Sequence, residues 1–176
     1  MSVVRRALFG LALCLPMALA GCGWAPLYAD RQSGPAAADL RAIKVAPIAM
    51  RIGQNLELAL RAAFNPSGEP TPQRYVLRVT LTVSKQNLGI TTQGYGTVGR
   101  IDVNARFVLA DLKTGAQLLA DTSHFNDSFN LLANGYSNVV AQNDSEIRVV
   151  DALRDDILTR LTLFLQRRAA ASPAKT

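Results

Sequence analysis

The sequence has 176 residues, 49% of them hydrophobic, with 19 Lys and Arg against 13 Asp and Glu, a formal net charge of +6. That length suits one ordinary domain with a sizeable core, and the mild basic excess suits an anionic partner. Two Cys and one His exclude a disulfide-stapled scaffold and a His/Cys metal centre.

In chain order, Arg5 and Arg6 precede an apolar run from Ala7 to Ala20. This is the plan of a secretory signal peptide over residues 1–21. The run is too short for a membrane span, which needs roughly 20 apolar residues. It ends in Leu19-Ala20-Gly21-Cys22, which resembles the lipobox of bacterial lipoproteins. There the Cys thiol receives a diacylglycerol, the chain is cut before the Cys, and the new amine is acylated. Each buried methylene contributes roughly 0.8 kcal/mol and stable anchoring takes about two chains, so an acylated Cys22 holds the mature chain at a membrane. That anchor argues against nucleic acid as partner. Gly23 follows the Cys; an Asp there would resemble an inner-membrane retention signal, so the outer membrane is expected. Cleavage discards Cys14 and leaves Cys22 lipidated, so the mature domain has no disulfide.

Residues 22–40 form the acylated N-terminus and a short polar tether with Gly34 and Pro35. Trp24 and Tyr28 either sit at head-group level or pack on the domain or on a partner. The domain proper is expected over residues 41–169, with a frayed tail over 170–176.

Ile43 to Ile48 alternates and predicts a strand that Pro47 either confines to an edge or ends. Ile52, Leu56, Leu60 and Phe64 recur at helical spacing, and the helix should stop at Asn65-Pro66. Tyr75, Leu77, Val79, Leu81 and Val83 give the cleanest period-2 strand. Asn87 to Gly99 reads as a Gly/Thr-rich connection. Ile101 to Leu109 alternates again, and Asp111-Leu112-Lys113-Thr114-Gly115 supplies turn chemistry before a third long strand over Gln117 to Phe129. Ile147, Val150, Leu153, Ile157, Leu161 and Phe164 predict a long closing helix, with Ser137 a candidate cap. The expected fold is α+β. It is a two-layer sandwich in the order strand-helix-strand-strand-strand-helix, with two helices on one face of a mainly antiparallel four-stranded sheet.

No catalytic or metal set emerges. His124 is the one candidate base, and its neighbour Ser123 points to the opposite strand face. Gly94 to Gly99 is dense in Gly, but no Lys-Ser/Thr follows, so it is no phosphate loop. Asp155 and Asp156 are adjacent on a helix, and Arg148 and Arg154 stand near enough to Asp151 and Asp155 to pair with them. No enzyme activity, metal or cofactor is expected. What remains is binding. Arg78, Arg100 and Arg106 share the polar sheet face, and Lys85 stands in the loop beside them. Guanidinium forks suit phosphates, although such charges also keep an open sheet soluble.

Together these stretches resemble one family. Leu-Ala-Gly-Cys-Gly-Trp-Ala-Pro-Leu-Tyr over 19–28 is similar to the acylated start of the alphaproteobacterial LPS-assembly lipoprotein LptE. The similarity continues through 43–48, Arg51-Ile52-Gly53-Gln54, 65–72 with Arg74-Tyr75-Val76-Leu77, the 111–115 turn and 155–161. The resemblance implies the same sandwich and an outer-membrane, lipid-anchored position, facing the periplasm or inside a barrel lumen. It implies a non-enzymatic plug that helps assemble the LPS translocon barrel LptD and assists lipopolysaccharide delivery. It transfers no residue roles, so Lys85, Arg78, Arg100 and Arg106 are expected lipopolysaccharide contacts from pattern alone. An auxiliary lipoprotein of an envelope lipid ABC-type transporter is the alternative, distinguished by its inner-membrane partner.

Overall fold

The computed structural model describes residues 35–171 apart from 67, 69–71 and 91–95. The signal peptide, Cys22, Trp24 and Tyr28 lie outside the described residues. Seven elements follow in order: α1 (Pro35–Arg41), β1 (Ile43–Val45), α2 (Arg51–Phe64), β2 (Tyr75–Ile90), β3 (Gly96–Asp111), β4 (Gln117–Asn130) and α3 (Gly135–Ala171). The sheet order is β1-β2-β3-β4. β1 runs parallel to β2, and the other two pairings are antiparallel. This is the α+β fold that the sequence pattern predicts.

Alternation creates the core. Tyr75, Leu77, Val79 and Leu81 from β2 and Ile101, Val103, Phe107 and Leu109 from β3 point to one face and are buried. Ile52, Leu56, Leu60 and Phe64 of α2 and Leu153, Ile157, Leu161 and Leu165 of α3 cover them. Burying each large apolar side chain contributes about 1.5–3 kcal/mol.

Short polar contacts fix the ends. Glu57 accepts the Ile48 N–H at 2.9 Å and pairs with Arg61 at 2.8 Å. The Asn65 amide donates to the Ile43 carbonyl at 2.8 Å, fastening the end of α2 to β1. The Asp111 carboxylate accepts the Lys113 and Thr114 N–H groups, each at 2.9 Å, and Gly115 takes φ 70. That left-handed residue is why Gly closes this turn.

Four details depart from the sequence expectation. Pro35–Arg41 is helix rather than tether; Pro at the first helical position followed by three Ala favours it. β1 lies at the sheet edge as expected but stops at Val45, before Pro47, shorter than the alternation over 43–48. β2 continues to Ile90 and β3 starts at Gly96, so most of the expected Gly/Thr-rich connection is paired hairpin. α3 begins at Gly135, and Asn134 rather than Ser137 caps it, its side chain accepting the Tyr136 N–H at 3.0 Å.

Candidate functional site

The open face of the sheet is built by register. Arg106 of β3 stands between Thr80 and Thr122, and Asn104 stands between Thr82 and His124. Arg78 is opposite Val108, which makes it the diagonal neighbour of Arg106, with roughly 7–8 Å between their Cα atoms. Neither guanidinium has a hydrogen-bond or ion-pair partner among the described residues. Two like charges side by side without a counter-charge make a seat for an anion, since each presents a fork suited to phosphate or carboxylate oxygens.

The other two expected cations stand elsewhere. Arg100 lies six residues from Arg106 along β3, roughly 20 Å away. It pairs with Asp102 at 3.6 Å, and Asp102 also meets His124 Nε2 at 2.6 Å. Lys85 is a strand residue, not a loop residue, and two strand periods place it on the helix-covered face. It donates to Glu146 Oε1 at 2.8 Å. The structure therefore brings Arg78 and Arg106 together, neutralises Arg100 locally and removes Lys85 from the group.

Under the helices, carboxylates are consistently paired. Glu146 is only 4% exposed and accepts from Lys85, from Arg51 at 2.7 Å and from Gln142 at 3.1 Å. Burial works to raise its pKa, but these donors prevail and hold the carboxyl below its ordinary range. Arg160 donates to Asp121 at 2.6 Å and to Asp156 at 2.9 Å. The Arg160 hydrogen bond is the main cause holding Asp121 low. The buried Ser123 hydroxyl donates to Asp156 at 2.6 Å. At Asp127 burial again opposes, and the Arg148 guanidinium, donating to the carboxylate at 2.9 Å, outweighs it. Arg154 meets Asp151 at 2.8 Å and Asp155 at 3.1 Å, as the spacing predicts, whereas Arg148, expected beside them, reaches across to Asp127 on β4 instead. Carboxylates held ionised by fixed cations are poor proton donors at neutral pH.

Ser123 and His124 do point to opposite faces, so they form no nucleophile–base pair. Among the described residues no three His, Cys, Asp or Glu side chains gather to hold a metal. No described helix is long and apolar enough to cross a membrane. A shallow cleft of about 260 Å³ lies between the start of β4 and the end of α3, lined by Leu119, Asp121, Arg160, Leu163, Phe164 and Arg167. Its one carboxylate, Asp121, is engaged by Arg160 at 2.6 Å. Sequence reasoning missed the Glu146 hub, because its two cationic donors, Lys85 and Arg51, lie on other elements far away in the chain.

No protein-family model matches the sequence, and no curated protein matches it. Solved structures share the fold. One is a lipoprotein of Caulobacter crescentus, at TM-score 0.61 and 21% identity, with 80% of this chain and 100% of that chain aligned. Another is a minor lipoprotein of Acinetobacter baumannii, at TM-score 0.52 and 17% identity, with 70% and 92% aligned.

Proposed function

We propose that the chain is a non-enzymatic outer-membrane lipoprotein of the LptE type, anchored through Cys22, that plugs and helps assemble the LptD barrel and assists lipopolysaccharide delivery. One coincidence carries the reading. A lipobox followed by Gly-Trp-Ala-Pro-Leu-Tyr precedes a domain whose fold spans the whole length of a Caulobacter lipoprotein. The compensated carboxylates and the His124–Asp102 contact on an open face support a binding role over catalysis. Arg78 and Arg106 are two cations of the open face free to meet lipopolysaccharide phosphates.

Deleting the gene in its host tests the role. The account expects less assembled barrel and less surface lipopolysaccharide, both restored by the intact chain and not by a Cys22→Ala version. Unchanged barrel assembly and unchanged surface lipopolysaccharide in the deletion strain contradict it. A double Arg78→Ala, Arg106→Ala protein is expected to bind immobilised lipopolysaccharide roughly tenfold more weakly, as lost charge-assisted hydrogen bonds imply. Equal binding would remove these two residues from the proposal.

A further inference from the structure

The two ends of the sheet differ in charge. Where β2 turns into β3 and β4 ends, Gln86 to Ile90, Gly96 to Gly99 and Ser128 to Asn143 contain no Asp, Glu, Lys or Arg. The opposite end gathers cations from four segments. There the Arg74 carbonyl accepts the Leu112 N–H at 2.9 Å, and the Arg74 N–H donates to the Ala42 carbonyl at 3.0 Å. These bonds bring the 111–115 turn, the start of β2 and the end of α1 together. Arg41 closes α1. Arg74 pairs with Asp39 and lies over the Tyr75 ring. Lys113 stands exposed in the turn. The end of α3 reaches the same place. Tyr75, whose hydroxyl pKa burial raises, lies near enough to Arg168 to feel its charge, and so does Asp111, which the Thr114 N–H chiefly holds low. Arg167 borders the start of β4 beside Leu119. Two carboxylates, Asp39 and Asp111, stand against these five cations, and Asp121 beside Arg167 is engaged by Arg160.

The chemistry and the chain path select one occupant. A broad basic face drawn from several segments suits a surface of many phosphates, which guanidinium forks and ammonium groups both bind. Leu112 is 46% exposed in the same turn. An apolar side chain beside Lys113 can enter a head-group layer while the ammonium stays at its surface. The chain also arrives at this end. α1 is only about 10 Å long, and its Asp39 is fastened to Arg74. The stretch from Cys22 to Pro35 spans at most about 45 Å, less than the roughly 50 Å length of β2. An anchored Cys22 therefore keeps this end within reach of its membrane. We propose that the basic end of the domain lies against the anionic phospholipid head groups of the membrane in which Cys22 is anchored. The acyl chains supply the affinity, and the basic end sets the orientation of the domain. This rests on the Cys22 anchor of the functional reading and not on its barrel.

The test sediments the mature chain, residues 22–176 carrying Cys22→Ala so that no acyl group contributes, with two kinds of vesicle. One contains equal parts of phosphatidylglycerol and phosphatidylcholine, the other phosphatidylcholine alone. Binding is expected to the first and not to the second, and it should weaken as salt is raised. Lys113→Ala with Arg168→Ala should weaken it roughly twentyfold, about fivefold for each charge near an anionic surface, with the thermal midpoint unchanged. Arg100→Gln with Arg148→Gln removes the same net charge far from this end and should leave binding nearly intact. In a Trp24→Phe background, Leu112→Trp should give a blue-shifted emission on the anionic vesicles, and Tyr136→Trp should not. Equal binding to both vesicles, no binding to either, equal losses in the two double variants, or a shift at position 136 in place of 112 overturns the proposal. None of these outcomes bears on Cys22 acylation, which is read separately by mass on the unaltered chain.

Discussion

Met50 sits at φ 68, ψ 159, immediately before α2. That region is open to Gly and costs other residues about 1–3 kcal/mol. Its side chain is half exposed and contributes little packing. Met50→Gly is therefore expected to raise stability by about 1 kcal/mol in urea unfolding, even though Gly loosens the unfolded chain. Gly99 is the opposite case. A Cβ there would run into the Phe129 ring on the neighbouring strand, so Gly99→Ala is expected to cost about 1–2 kcal/mol, and less in a Phe129→Ala background. Glu146 governs acid behaviour. Its carboxyl, with those of Asp121 and Asp127, is held below the ordinary carboxylate range. Groups with a depressed folded pKa contribute stability that is complete above the unfolded value, about 4, and is lost as pH falls through the folded value. Stability should be flat near neutrality and fall in acid below about pH 4. Glu146→Gln should lower the plateau by about 1–2 kcal/mol and shallow the acid limb, because Arg51 and Lys85 stay half exposed and can regain water. An acid limb unchanged by the substitution would contradict this assignment.

Elements are where the sequence was most legible. β2, β3 and α2 follow simple periods because each buries one face against a single core. Legibility failed where that burial ends. β2 runs five residues past Lys85, held by hairpin pairing rather than by a buried face, so its polar sequence reads as loop. In α3, Ile147 stands about 100° around the helix from Glu146, off the face that Val149, Val150 and Leu153 bury, so it keeps core-like spacing but an exposed position. Lys85 was misplaced by the same cause, since the loop assignment hid its strand parity. The Arg78–Arg106 pairing needs the β2–β3 register, which sequence alone leaves open. In α3 the packed stretch is expected to dominate stability. Leu153→Ala leaves a cavity among fully buried neighbours and should cost about 2–5 kcal/mol, whereas Val139→Ala should fall within about 0.5 kcal/mol of the parent. Similar losses at the two positions would contradict this division of the helix.

At the scale of the whole molecule, two features do different work. The acylated Cys22 supplies the membrane anchor in the functional proposal. The open sheet face offers two uncompensated guanidinium groups. Neither uses the carboxylates under the helices, which are engaged in holding α2, α3 and the sheet together. Replacing Cys22 with Ala is expected to abolish acylation and release the chain as a soluble periplasmic product, read by fractionation and mass. Unchanged membrane retention would refute the anchor. The most direct test of the central claim is the stoichiometry of partners recovered when the tagged, full-length lipoprotein is purified from outer membranes in mild detergent. The account predicts one large β-barrel protein at an equal molar ratio. Recovery of the chain alone, or with an inner-membrane transporter in place of a barrel, would contradict it.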